Sequence, residues 1–358
     1  MELIPKNKGL RTQRMSRLKS IKKILLSSAK LCGVFDQLSN SSWRQHRLLI
    51  LGYHGISLHD EHLWNPDLFM PAGFLRQRFE QIKQIGCTVL SLSEGVTRLY
   101  EGSLPPRSVT ITFDDGGYDF YERALPILRQ FNFPATVYLT TYYTLKNMPV
   151  FDVAVGYLLW KANVKHLDLE TIVGGGGVMD LSSESKRKEV HLAIVSQADL
   201  GGYSADRKNK ILSDMCKQLD IDFAEFCQSR ILHLMNAEEI EQVTKAGIDV
   251  QLHGHRHRVP IEEELFNREI IDNRRIIEDF TGHVPQHFCY PSGDYHPNVF
   301  PWLENANVIS ATTCEPALSH RKSNRYLLPR LIDTSSLSDM EFEGWVVGAS
   351  HFLPQRSH

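Results

Sequence analysis

Short apolar runs that stop at polar clusters, separated by stretches with helical spacing, set the pattern of this chain. In Val109-Thr-Ile-Thr-Phe113, apolar and hydroxyl residues alternate with the period of a pleated strand. The run ends at Asp114-Asp115-Gly116-Gly117. An Asp-Gly pair also signals a hairpin, which requires a second strand next. Instead, Tyr118 to Phe131 carries Ala124, Leu125, Ile127, Leu128 and Phe131 at helical spacing, and a strand at Ala135 to Leu139 follows. The unit reads as β-α-β. Its aspartates stand at the carboxyl end of the first strand, the edge where ligands bind in α/β folds.

The same alternation recurs along the chain. Leu48 to Leu51 is a strand that ends at Tyr53-His54, and residues 73–85 form a helix closed by Gly86. A strand at 88–92 and a short helix at 93–100 lead to Val109. Asn236 and Glu239 have the spacing of a capping box at the start of another helix. Ile248 to Leu252 is a strand that stops at His253-Gly-His-Arg-His257, followed by a helix over 262–280. Gln286 to Tyr290 is a strand ending at Pro291-Ser-Gly-Asp294. After a helix at 297–305, strands at 308–312 and 325–328 finish the series, the last before Pro329-Arg330. Parallel strands share one carboxyl edge, so the clusters at 53–54, 114–115, 253–257, 290–294 and 330 can converge. The expected fold is α/β, a distorted (β/α) barrel of about seven or eight parallel strands.

Residues 151–233 break the alternation. They hold a hairpin around Gly174 to Gly177 and two charged helices, and read as a helical insertion bordering a substrate groove. The domain thus spans 47–335, with a basic amphipathic segment at 1–46 and a C-terminal tail at 336–358.

The net charge of −2 over 358 residues argues against bulk attraction to nucleic acid. Six cysteines without a C-x-x-C exclude a zinc finger and a disulfide framework, and fit a reduced compartment. No stretch reaches the roughly 18–20 apolar residues of a membrane span. Ile24-Leu25-Leu26, crowded by Lys22, Lys23 and Lys30, is no secretory signal peptide, so a cytoplasmic location is expected. Arg11, Arg14, Arg17, Lys19, Lys22 and Lys23 accompany Leu18, Ile21, Leu25, Ala29 and Cys32 at helical spacing. This helix either packs on the domain or touches an anionic membrane surface.

Two adjacent carboxylates need a cation, a proton or water around them. Asp115, His253 and His257 would make a three-ligand set with open positions, the form of a catalytic metal site, suited to zinc, cobalt or a similar divalent ion. Were the strand to continue, His253, His255 and His257 would share a face; Gly254 breaks it and favours 253 and 257. Such a metal lowers the pKa of water and polarises a carbonyl. Asp114 is then the candidate base and His54 the candidate acid that protonates a leaving amine. Tyr290, Gly293 and Asp294 are candidate substrate or oxyanion contacts.

Thr112-Phe-Asp-Asp-Gly116 with His253 and His257 resembles the first two motifs of the polysaccharide deacetylases, the NodB-homology proteins of carbohydrate esterase family 4. The resemblance runs from near Leu48 to Leu331. It includes Tyr53-His54, Phe133-Pro-Ala-Thr-Val137, Leu234-Met235 and Tyr290-Pro-Ser-Gly293. It implies a distorted barrel, a zinc-like metal on Asp115, His253 and His257, Asp114 as base, and removal of acetyl from an N-acetylated saccharide. Two departures stand out. Cys289 lies near the place of an arginine that orients the base in the family, and Arg330 is the residue that could replace it. The family's late Leu-x-His has only Leu318-Ser-His320 as a counterpart, whereas branches acting on poly-N-acetylglucosamine use an early histidine like His54. Two alternatives remain: a metal hydrolase of a non-sugar C–N amide, and a non-catalytic saccharide-binding relative.

Overall fold

The computed structural model describes residues 21–353; Arg11, Arg14, Arg17, Leu18 and Lys19 lie outside the described residues. Seven parallel strands form its frame: β1 (Arg47–Tyr53), β2 (Ser108–Phe113), β3 (Thr136–Leu139), β4 (Asp249–Leu252), β5 (His287–Cys289), β6 (Ser310–Thr312) and β7 (Leu331–Ile332). Their order across the sheet is β6-β5-β4-β3-β2-β1, with β7 beside β1. Thr88–Leu90 adds to the start of β2, and Ser319–His320 pairs antiparallel with the start of β1. The sheet curls until Thr312 and Leu328 meet in a single parallel bridge. It is therefore a nearly closed barrel, as the alternation of strands and helices predicts.

Helices α1 (Ala72–Ile85), α2 (Leu125–Phe131), α4 (Ala237–Lys245), α5 (Glu263–Thr281) and α6 (Asp339–Val347) cover or extend this sheet, while α3 (Phe151–Lys161) packs within the insertion. In α1, Leu75, Arg78, Phe79 and Ile82 are buried at i, i+3, i+4 and i+7, one stripe against the sheet. The strands are buried on both faces, as parallel strands covered by helices are: every residue of β2 is buried, including Ser108, Thr110 and Thr112. The main core joins Leu49, Leu51, Val109, Ile111, Val137, Val250 and Phe288 to the helices. Residues 151–231 bury a second cluster of their own, including Leu158, Ile194, Ile211 and Met215.

Three local expectations change. The hairpin at 166–181 pairs only His166–Asp168 with Val178–Asp180. Between them Leu169–Val173 is a helical turn, started by the Asp168 side chain, which accepts from the Glu170 N–H. The final strand lies at Leu331–Ile332 rather than 325–328, because Pro329 has no N–H to continue a ladder from Leu328. The sequence reading leaves 336–358 as a tail, whereas α6 lies within it and buries Phe342, Trp345 and Val346 in the main core.

Arg44 ties this C-terminal helix to the amino-terminal edge of the sheet. Fully buried, it donates to the carbonyls of Val346 (2.8 Å), Arg47 (2.8 Å) and Ser108 (3.3 Å). Burial pulls its pKa down to about 10. Residues 21–31 are helical and pack beside α6 through Leu26, in a cluster with Phe35 and Val347. Ile21 and Leu25 face outward instead. No helix among the described residues is long and apolar enough to cross a membrane.

The capping box that opens α4 forms as the spacing predicts. Asn236 accepts from the Glu239 N–H at 2.9 Å, and Glu239 accepts from the Asn236 N–H at 2.8 Å. Asn236→Ala is expected to cost about 1 kcal/mol, measured as a lower urea midpoint at unchanged slope.

Candidate active site

Strand register brings the polar clusters level. Tyr53 lies beside Phe113 and Leu139 beside Leu252, so His54, Asp114 and His253 all leave the sheet at one edge. The Asp114 N–H continues the ladder to the Tyr53 carbonyl at 2.8 Å. Asp115 then turns into the left-handed region (φ 69°), as does His257 (φ 55°). Non-glycine residues occupy that region at a cost, and do so chiefly at functional sites. The segment 233–235 pins this turn: Met235 donates to the Gly116 carbonyl, and Tyr118 donates to that of His233.

Asp114 is buried against Arg330, which is itself fully buried. Arg330 Nη1 and Nη2 donate to the two carboxylate oxygens at 2.7 Å each, a bidentate fork. The remaining guanidinium hydrogens reach Thr112 Oγ1, the Thr313 carbonyl and Cys289 Sγ. Burial pushes the Asp114 carboxyl up, but Arg330 overcomes this and lowers it to about 2. The Asp114 carboxylate is therefore ionised at neutral pH and cannot rotate. His54, part-exposed, places Nε2 3.6 Å from Asp114 Oδ2.

Asp115 Oδ1 lies 3.4 Å from His253 Nε2 and 3.3 Å from His257 Nε2. His253 Nδ1 is 2.8 Å from the Cys289 carbonyl. A carbonyl only accepts, so Nδ1 carries the hydrogen and the Nε2 lone pair faces the carboxylate. Lone pairs converging this closely require a proton or a cation between them. The charge preferences agree: although burial raises it, the Asp115 carboxyl is held well below the usual range by the two histidines. Burial lowers His257, while Cys289 and Asp115 raise His253 well above an ordinary histidine despite its burial.

A second group of possible ligand atoms, Asp114, His253 and Cys289, overlaps the first. There the Arg330 guanidinium already touches both Asp114 and Cys289, and a metal would be a second buried cation beside it. The donor set of Asp115, His253 and His257 has no such competitor and fits a divalent metal better.

His255 turns away from this set, its Nδ1 2.8 Å from Thr141 Oγ1. Buried polar residues of α5 hold the loop. Asn273 Oδ1 accepts from the His253 N–H, and its Nδ2 donates to the Leu139 carbonyl and Thr141 Oγ1. Glu269 accepts from the Arg256 N–H and from the Arg256 and Arg258 guanidinium groups. The sequence reading missed Asn273 and Glu269. Their signal was a polar residue at each of two positions of the buried stripe Phe266, Glu269, Ile270, Asn273 and Ile277.

Other candidates are otherwise engaged. His320 pairs with Arg47 at the amino-terminal edge, the far end of β1 from His54, which removes it as an alternative acid. The Tyr290 hydroxyl donates to the Tyr326 carbonyl, and its N–H to that of Thr312. The N–H groups of Gly293 and Asp294 close their own turn on Tyr290 and Pro291. None of these three N–H groups is thus free for an oxyanion.

The family model for polysaccharide deacetylases matches residues 101–167 and 202–309. A poly-beta-1,6-N-acetyl-D-glucosamine N-deacetylase of Escherichia coli K12 is 28% identical over 100 residues, 27% of this chain and 14% of that protein. One from Staphylococcus epidermidis is 33% identical over 66 residues, 18% of this chain and 23% of that protein. The chain thus aligns with only a minor part of the length of either relative. Among solved structures, the Streptococcus pyogenes deacetylase PplD in complex with acetate shares the fold with a TM-score of 0.54 and 17% identity, over 82% of this chain and 94% of that one. IcaB from Ammonifex degensii does so at 0.51 and 14%, over 85% and 97%. The match to the polysaccharide deacetylase model runs through the strand ends that bear Asp114, Asp115, His253 and His257, and the likeness to the solved structures shows that their fold is shared over most of this chain.

Proposed function

We propose that this chain is a metal-dependent hydrolase that removes N-acetyl groups from an N-acetylated sugar polymer. The carrying observation is the convergence of Asp115, His253 and His257 on one point beside a carboxylate, Asp114, that Arg330 keeps ionised. The relatives' names point to N-acetylglucosamine units as the substrate class.

Asp115, His253 and His257 would hold the divalent metal, zinc or cobalt by ligand type. A carboxylate held near pKa 2 is a weak base; when bound, the metal supplies the remaining drive by lowering the pKa of water and polarising the acetyl carbonyl. Asp114 takes the proton as water attacks the acetyl carbon. Arg330 prevents Asp114 from rotating and keeps it ionised until it takes the proton. His54 lies beside Asp114 at the rim of the site and gives a proton to the departing nitrogen as the C–N bond breaks. Acetate and the free amine are the products. Asn273 and the Cys289 carbonyl fix the loop and the ring of His253.

Acetate release from β-1,6-linked N-acetylglucosamine oligomers tests this. Metal-stripped protein is expected to show none, and refilling with zinc or cobalt to restore it. A protein that keeps one tightly bound metal yet releases no acetate, with or without refilling, would sink the substrate assignment.

A further inference from the structure

We infer that the helix at 21–31 docks this chain on the surface of an anionic bilayer, with the catalytic edge turned away from the lipid. Four large apolar side chains of residues 21–31 stand in solvent: Ile21 is 52% exposed, Ile24 64%, Leu25 50% and Leu31 89%. At 100° per residue they share an arc of about 120°, which is one continuous stripe. The helix is held from its other side, where Leu26 packs near Gly344 and among Phe35 and Val347. The Lys30–Glu343 ion pair, at 2.7 Å, anchors it further to α6. The stripe is therefore not the face that attaches the helix to the domain.

Charge identifies what covers it. Residues 1–23 carry Lys6, Lys8, Arg11, Arg14, Arg17, Lys19, Lys22 and Lys23 against Glu2 alone, in a chain whose net charge is −2. A second copy docking stripe to stripe would bring two such basic segments together. Anionic lipid headgroups neutralise them instead, at about 1 kcal/mol for each Lys or Arg near the surface, while an apolar stripe enters the headgroup boundary.

The fold then sets the orientation. The helix lies beside α6, and Arg44 joins α6 to the first residues of β1 and β2. Asp114 and His54 leave the opposite ends of those strands. The seven residues of β1 span about 20 Å. The site so placed reaches glycan that extends well out from the bilayer rather than sugars at the headgroups. The docking itself does not depend on the deacetylase reading and is measured without it.

The test is co-sedimentation of the full chain with phosphatidylcholine vesicles, with and without phosphatidylglycerol. Binding is expected only with the anionic lipid and is expected to weaken as salt rises. Ile24→Glu and Leu31→Glu, both at exposed positions, should each reduce binding at least about tenfold without altering the unfolding midpoint. No binding to phosphatidylglycerol vesicles overturns the inference, as does undiminished binding by both variants. A concentration-dependent dimer abolished by Ile24→Glu would assign the stripe to a second copy and overturn it equally.

Discussion

Asp114→Asn is expected to lower turnover by about 10²–10⁴-fold while leaving the metal content of the protein unchanged. The two effects separate because the adjacent aspartates face different partners. Asp114 is held by Arg330, while Asp115 converges with His253 and His257. Asp115→Ala should therefore lose metal and turnover together. Asparagine nearly preserves the shape of Asp114 but turns one acceptor into a donor facing an Arg330 N–H. Some loss of stability accompanies the substitution, so the comparison is made well below the variant's unfolding midpoint, with bound metal measured by elemental analysis. Full activity in Asp114→Asn would remove this residue from the reaction; loss of metal would show that it belongs to the ligand set.

Arg330→Met is expected to destabilise the protein by about 3–5 kcal/mol, the cost of leaving one partner of a buried ion pair alone. The Asp114 carboxylate is the charge left behind, and among the described residues no other cation makes a fork with it. Adding Asp114→Asn to Arg330→Met removes that charge and should recover much of the loss, giving a large coupling energy in a double-mutant cycle by urea unfolding. Additive losses would show that the pair is not coupled. The pH dependence changes as well. The Asp114 carboxyl is depressed in the folded protein, so its contribution to stability is complete above the ordinary carboxylate range and is lost as pH falls through about 2. Without Arg330, burial acts with less opposition and raises the carboxyl. A base must be unprotonated, so the acid limb of the kcat/KM profile should move to higher pH in Arg330→Met. An acid limb that stays in place would mean that Arg330 does not tune the base.

The barrel was legible because its strands are written as short stretches that are apolar throughout or at every second position, and their carboxyl ends as polar breaks. Leu48 to Leu51, Val109 to Phe113 and Ile248 to Leu252 each carry that signature. So does the break at Gly254, whose left-handed φ of 76° ends the strand and lets His255 turn away from His253 and His257. Closure of the sheet was harder to read. Its final strand is two residues long, and a run of Tyr326, Leu327 and Leu328 just ahead of it looked more strand-like. Helix α6 was missed for a related reason: Gly344 interrupts a brief apolar stretch close to the end of the sequence. Asn273 and Glu269 act through hydrogen bonds to a loop up to twenty residues away, and local periodicity cannot show which partner a buried polar side chain will find. The sequence likewise cannot show that the N–H groups at 290, 293 and 294 are already hydrogen-bonded, which only the folded turn reveals.

Arg44 also constrains the order in which the protein can be made. Its donors reach carbonyls 3, 64 and 302 residues further along the chain. During synthesis from the amino terminus, β1 and β2 can pair long before the last of these acceptors leaves the ribosome. Until Val346 emerges, the guanidinium must stay hydrated, and the base of the barrel must stay open to water. Completion of the core thus waits for the final turns of helix, and a nascent chain that stalls short of α6 would present that open base to chaperones and proteases.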